Sequence, residues 1–140
     1  EMQAAIGISQ MKKLPEIITK KQKIHDLYEK ELSERNGFKI ALLDKRSTPV
    51  FWFTSFTTDR TDELIDFLTE CKIQTRRFFY PLHLQPCYAD KQHIKNIDDD
   101  FSISERAYKR GISLPSSYSL TIEDQYAVIN KIKEFYENRG

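Results

Sequence analysis

Apolar side chains recur at helical spacing along the first quarter of the chain. They are separated by three, four or seven positions, which predicts an amphipathic helix over residues 1–34 with lysines on most of the opposite face. Pro15 lies inside this pattern. Because proline removes one backbone N–H and clashes with the preceding turn, we expect a kink or a restarted helix there. The pair Asn36-Gly37 predicts the C-terminal stop.

The middle of the chain carries strand signals separated by one helix. Residues 38–43 and 48–58 are rich in aromatic and β-branched side chains, so each predicts a strand. A short helix follows, which Asp59 or Thr61 can cap and whose apolar positions are Leu64, Ile65, Phe67 and Leu68. Residues 73–79 predict a third strand, which leads into a stretch of unusual composition.

The last third of the chain predicts a loop, a helix, an extended piece and a final helix. Residues 81–100 lack periodicity, residues 101–110 predict a helix that ends at Gly111, and "ISLPSS" is extended. Thr121 and Asp124 form a capping box that opens the last helix. Strands covered by helices on one side indicate an α+β fold, a small sheet with helices packed on one face. The predicted buried face of the last helix comprises Val128, Ile129, Ile132, Phe135 and Tyr136.

Composition narrows the class of protein. A chain of 140 residues can bury one core, and a net charge of +1 with 31% charged residues indicates no strong attraction to nucleic acid or to a membrane surface. No apolar run approaches the roughly 18 residues that span a bilayer. The two cysteines are not clustered, which suits a reducing, cytoplasmic compartment. Because Glu1 opens the chain inside a helical pattern, we expect a longer parent protein.

Two residue patterns that could indicate catalysis or metal binding are weak. Ser9 and Lys12 match S-x-x-K, a motif of nucleophilic serines, but they lie mid-helix without partner motifs and are read as a solvated helix face. His83, Cys87 and His93 could be metal ligands by residue type. A structural zinc site needs four ligands in tight pairs, and a fourth is not evident, so no metal is predicted.

The stretch "TRRFFYPLHLQPCY", residues 75–88, concentrates most of the candidate chemistry. Arg76, Tyr80, His83 and Gln85 bring guanidinium, hydroxyl, imidazole and amide groups close together in a segment stiffened by two prolines. This mixture suits a phosphate-bearing, polyhydroxylated ligand. The alternative is a binding module that uses the arginines and aromatic rings for single-stranded nucleic acid or a protein partner, although the near-neutral charge disfavours nucleic acid.

Three blocks resemble one known family, in family order. "EMQAAIGISQMKKL" is similar to an E-x-Q-A-A-x-G-x-x-Q-x-x-x-L segment, and "DELIDFLTECKIQTRRFFYPLHLQPCY" resembles a segment that ends in P-L-H-x-Q-P-x-Y. "RAYKRGISLPSSYSLTIEDQYAVINKIKEF" resembles an ending in which G-x-S-L-P-S precedes a capped helix. The family is that of the DegT/DnrJ/StrS pyridoxal-phosphate-dependent nucleotide-sugar aminotransferases.

The resemblance implies the C-terminal part of an enzyme with the aspartate-aminotransferase type of fold. Residues 1–36 would be a connector helix from a large domain, and residues 37–140 the small α+β domain. The implied reaction moves an amino group from an amino acid, usually glutamate, to a keto-sugar nucleotide for surface glycans, in a homodimer that uses pyridoxal phosphate.

The resemblance also implies which functional residues lie within this chain and which lie outside it. The Schiff-base lysine of the family falls upstream of Glu1, so the chain alone is expected to be inactive, and none of its residues is expected to be catalytic or to bind the cofactor. The family's substrate loop maps to Tyr80 and His83, with Arg76 behind them and Gln85 weaker. Relatives with histidine in place of the lysine dehydrate sugars, which leaves a dehydratase as the alternative within the enzyme class.

Overall fold

The computed structural model describes residues 1–32, 38–40, 44, 46–88 and 100–138. The described residues form four helices, four strands and two short 3-10 turns at Leu82–Leu84 and Pro86–Tyr88. The helices and strands, in chain order, are α1 Met2–Leu32, β1 Lys39–Ile40, β2 Thr54–Thr57, α2 Thr61–Glu70, β3 Arg76–Arg77, α3 Ser102–Arg110, β4 Gly111–Leu114 and α4 Ile122–Asn138.

The four strands form one antiparallel sheet in the order β1-β2-β4-β3. Phe56 lies opposite Ile112, and both side chains are fully buried on the face that the helices cover. Ser55 lies opposite Ser113 on the other face, where their hydroxyls are 3.0 Å apart. One apolar face and one polar face are typical of an antiparallel sheet, and they confirm the predicted α+β class.

The core joins the sheet to α1, α2 and α4. All five residues predicted for the buried face of the last helix are buried. The capping box is also confirmed, because the backbone N–H of Asp124 donates to Thr121 Oγ1 at 3.0 Å and the Thr121 hydroxyl donates to the Asp124 carboxylate at 2.8 Å. Three side chains of α1 also belong to the core: Ile24, Tyr28 and Leu32.

The predicted restart at Pro15 is wrong, because α1 runs unbroken from Met2 to Leu32 with Pro15 inside it. Proline removes one backbone N–H donor from the helix, and the other residues of the helix keep their donors. The hydroxyl of Thr19 donates to the Pro15 carbonyl at 2.9 Å, one turn later. The predicted stop at Asn36-Gly37 lies outside the described residues.

The strands are shorter than predicted. The strand expected over residues 48–58 is confined to Thr54–Thr57, and that expected over 73–79 to Arg76–Arg77. Trp52 lies two residues before β2. Its carbonyl accepts hydrogen bonds from side chains, namely the Lys21 ammonium at 3.1 Å and a serine hydroxyl. Of the strand predicted over 38–43, residues 41–43 are not described. The extended piece "ISLPSS" overlaps β4, which begins one residue earlier at Gly111 and pairs with two strands.

Candidate functional site

The segment that carries the predicted site leaves the sheet at its edge. β3 pairs with β4 through Arg76 opposite Ser113 and Arg77 opposite Ile112. Immediately beyond β3, the ring of Phe78 lies over Gly111, so close that a Cβ at that glycine would come within 2.2 Å of the ring. Glycine at this position therefore lets the ring pack closely on the strand.

His83 is held against α3. Its Nε2 lies 3.1 Å from Glu105 Oε1, and its ring stacks on Phe101 with centroids 4.4 Å apart. The imidazole side chain is 17% exposed. Because a carboxylate can only accept, Nε2 carries the shared hydrogen, and Nδ1 of the neutral ring is then an acceptor.

Tyr80 and Gln85 lie on either side of His83 along the chain. The Tyr80 ring meets the edge of Tyr108 on α3, with centroids 5.1 Å apart, and remains 43% exposed. Gln85 is half-buried and ends the first 3-10 turn, where its N–H donates to the Leu82 carbonyl at 3.0 Å. The loop therefore presents a tyrosine hydroxyl and an amide beside an imidazole that α3 holds in place.

Arg76 and Arg77 project to opposite faces of the edge strand, as alternation requires. The guanidinium of Arg77 pairs with Asp62, and it lies 5.8 Å from the ring centroid of Tyr108, so it joins the edge of the sheet to α2 and α3. Arg76 is exposed and makes no ion pair with another described residue. The structure thus separates Arg76 from Tyr80 and His83, because its side chain lines a groove that those two residues do not line.

That groove has a volume of about 720 Å³ and contains residues that the sequence did not single out. Lys21 crosses one end, and its ammonium donates to the carbonyls of Trp52 and Ser116. Burial lowers the pKa of Lys21. The exposed Trp52 lies beside it, and Lys72 adds a second lysine. Only the presence of a single tryptophan could have drawn attention to this region in the sequence.

Lys21 does not fit as the attachment point of a covalently bound aldehyde cofactor. Lys21 is the obvious candidate, since a lowered pKa activates an amine for Schiff-base formation. Both of its partners are backbone carbonyls, however, and acceptors of this kind stabilise the protonated amine, which cannot attack. We therefore assign no cofactor attachment to this lysine.

The described ranges contain no candidate metal cluster and no candidate membrane-spanning helix. No three His, Cys, Asp or Glu side chains in them are grouped as a metal site requires, and His93 falls in the undescribed stretch 89–99. No helix among the described residues has the length and apolar character needed to cross a bilayer.

The fold is one that occurs in aminotransferases. DesV of S. venezuelae, solved in complex with a ketimine intermediate, superposes on 97% of this chain with a TM-score of 0.88 and 24% identity. The aminotransferase TlmJ from Streptoalloteichus hindustanus superposes on 98% of it with a TM-score of 0.85. In both cases the matched region is 36% of the larger chain.

The sequence model of the DegT/DnrJ/EryC1/StrS aminotransferase family matches residues 1–133, and the chain belongs to this family. GDP-perosamine synthase from Escherichia coli O157:H7 is 32% identical over 97% of the chain, and the enzyme of that name from Vibrio cholerae is 33% identical over 95%. The chain spans 36% of the length of each of these relatives. Enzymes of the family depend on pyridoxal phosphate.

Proposed function

We propose that the chain is the C-terminal part of an aminotransferase that transfers an amino group, with glutamate as donor, to a keto-sugar nucleotide for surface-glycan biosynthesis. The observation that carries this proposal is the similarity to two GDP-perosamine synthases along almost the whole chain. The relatives whose names call them aminotransferases favour amination over the dehydratase alternative. The family match disfavours a binding module without enzymatic activity. Pyridoxal phosphate would act as the electron sink, bound outside this chain.

The proposed domain organisation follows the same similarity. Residues 1–36 would connect a cofactor-binding domain to the small domain of residues 37–140, and a homodimer would complete the active site. The first half of α1 supports this proposal, since its apolar side chains Met2, Ile6, Ile8 and Met11 are each more than half exposed within the described chain. Hydrogen exchange tests it: amides of residues 5–18 should exchange rapidly in this chain alone and be protected in the complete enzyme. Equal exchange in both would contradict the connector role.

Within this enzyme, Tyr80, His83, Arg76 and Gln85 would bind and orient the sugar nucleotide without forming covalent bonds. The contacts of His83 support a positioning role. Glu105 and Phe101 fix the ring, so Nδ1 can accept a hydrogen bond from a sugar hydroxyl without first ordering a mobile side chain. The Tyr80 hydroxyl can donate or accept at the same loop.

The test replaces His83 with alanine in the complete enzyme. Losing one well-placed hydrogen bond to substrate should lower kcat/KM for the keto-sugar nucleotide by about tenfold, whereas the KM for glutamate should not change. Unchanged kcat and KM for the sugar nucleotide would contradict the assignment.

Glu105→Gln provides the matched control. Its amide oxygen still accepts from Nε2, so the ring should keep its orientation and most of the activity should remain. Product analysis by mass spectrometry separates the two enzyme classes, because transamination adds nitrogen to the sugar and dehydration removes water without adding nitrogen.

A further inference from the structure

The groove beside Arg76 combines positive charge with an open aromatic face. Three cationic side chains line it, from α1, from the turn after α2 and from the edge strand: Lys21, Lys72 and Arg76. One carboxylate, that of Asp124, also lines it, and this carboxylate already accepts the Thr121 hydroxyl at 2.8 Å. The excess of positive charge favours an anion.

Trp52 supplies the aromatic face. Its indole stacks on Phe53 with centroids 4.6 Å apart, yet 65% of the residue remains exposed. A ring covered on one side and open on the other can stack on a planar base. The backbone of Trp52 is held in place, because its carbonyl accepts from Lys21 at 3.1 Å and from the Ser116 hydroxyl at 3.3 Å.

The cationic side chains of the groove have hydrogen-bond donors available for a phosphate. Arg76 is exposed and unpaired among the described residues, and a guanidinium binds a phosphate through two parallel N–H donors. Lys72 is exposed and is held in the left-handed region with φ of 61°. Lys21 uses two of its three N–H donors on carbonyls, which leaves one for a ligand. Ser113, opposite Arg76, adds a hydroxyl to the lining.

We propose that this groove binds the nucleoside diphosphate end of the substrate, with the diphosphate on Arg76 and Lys72 and the base stacked on Trp52. The inference rests on the proposed function and extends it. Arg76 and Tyr80 are four residues apart, so their Cα atoms lie at most about 14 Å from each other. The proposal places the diphosphate in the groove and the sugar at the loop.

Trp52 is the single tryptophan of the chain, so tryptophan fluorescence reports on binding in the groove. The experiment titrates the 140-residue chain with GDP and follows tryptophan fluorescence. Saturable quenching is expected, with guanosine binding more weakly because it lacks the diphosphate and with inorganic pyrophosphate competing. Arg76→Gln and Lys72→Asn should each weaken GDP binding by about tenfold, the loss typical of one charged hydrogen bond. Asparagine is chosen because it tolerates positive φ.

Lys30→Gln is the matched control, since it removes a lysine from the exposed surface of α1 outside the groove. It should leave GDP affinity unchanged. Quenching that stays linear to ~10 mM GDP, equal affinity in the parent chain and both groove variants, or displacement of GDP by glutamate would each overturn the proposal. The measurement needs no turnover. GDP binding without transamination by the complete enzyme would therefore retain the groove and remove the proposed function.

Discussion

The two halves of α1 share one apolar periodicity and differ in burial. In the second half, Ile24 is 2% exposed and Tyr28 is fully buried against the sheet and α4. In the first half, Ile8 is 61% exposed and Met11 is 64% exposed. A periodic apolar stripe predicts which face of a helix avoids water, but it does not say what covers that face. Here the described chain supplies the cover for one half only.

The largest expected difference between the halves comes from a matched pair of isoleucines. Ile24→Ala removes buried methyl groups and leaves a cavity, so it should lower the free energy of unfolding by about 2–5 kcal/mol. Ile8→Ala should change it by less than about 0.5 kcal/mol, because the side chain is already exposed to water. Urea denaturation of the 140-residue chain measures both. Similar losses in the two variants would mean that the first half is buried in solution, for example by self-association.

A smaller difference is expected from two tyrosines whose hydroxyls form hydrogen bonds between α1 and another segment, one in each half of the helix. The Tyr28 hydroxyl donates to the Pro115 carbonyl at 3.0 Å, and burial raises its pKa. Tyr28→Phe should cost about 1 kcal/mol, because it leaves that carbonyl without its donor. The Tyr118 hydroxyl bonds to Glu16 on the exposed half, where water can replace it. Tyr118→Phe should leave the urea midpoint within experimental error, and an equal shift in both variants would contradict this assignment.

The smallest expected effect is a pH dependence confined to the packed half. His25 stacks on Phe51 with centroids 3.5 Å apart, and burial lowers its pKa although Glu29 and Asp26 act to raise it. The unfolded chain therefore binds this proton more readily than the folded chain. Stability should decrease as the pH falls below the unfolded value of about 6.5, until the folded imidazole also protonates.

His25→Phe keeps an aromatic ring against Phe51 and removes the titrating group. The fall in Tm between pH 7 and pH 5, measured by circular dichroism, should be smaller in this variant than in the parent chain. Parallel Tm curves over this range would show that the buried imidazole contributes nothing to the pH dependence.

Local patterns predicted the final helix and its cap correctly because both depend on residues three and four positions apart. The central position of β4 could not be predicted in the same way. Its sequence, Gly-Ile-Ser-Leu, is short, and its importance arises from pairing with β2 and β3, which lie more than 30 residues upstream. Pairing over such distances leaves no periodic trace in the strand itself.

The candidate site could also be predicted only in part from the sequence. The sequence brought Arg76, Tyr80, His83 and Gln85 together as neighbours along the chain, and their roles in substrate binding stay predictions. The alternation of side chains along a strand implied that Arg76 and Arg77 face opposite ways, but not which of them is engaged. Asp62 and α3 decide that point by engaging Arg77.

By itself, the sequence determined the class of fold, the family and the loop that carries the candidate chemistry, because each rests on local patterns or on motifs in linear order. Only the tertiary structure decided that Glu105, 22 residues from His83, fixes its imidazole. It also decided that α1, the turn after α2 and the edge strand enclose one cationic groove around Trp52. Contacts between distant segments depend on how the helices pack across the sheet, and that packing follows from the burial of the whole core.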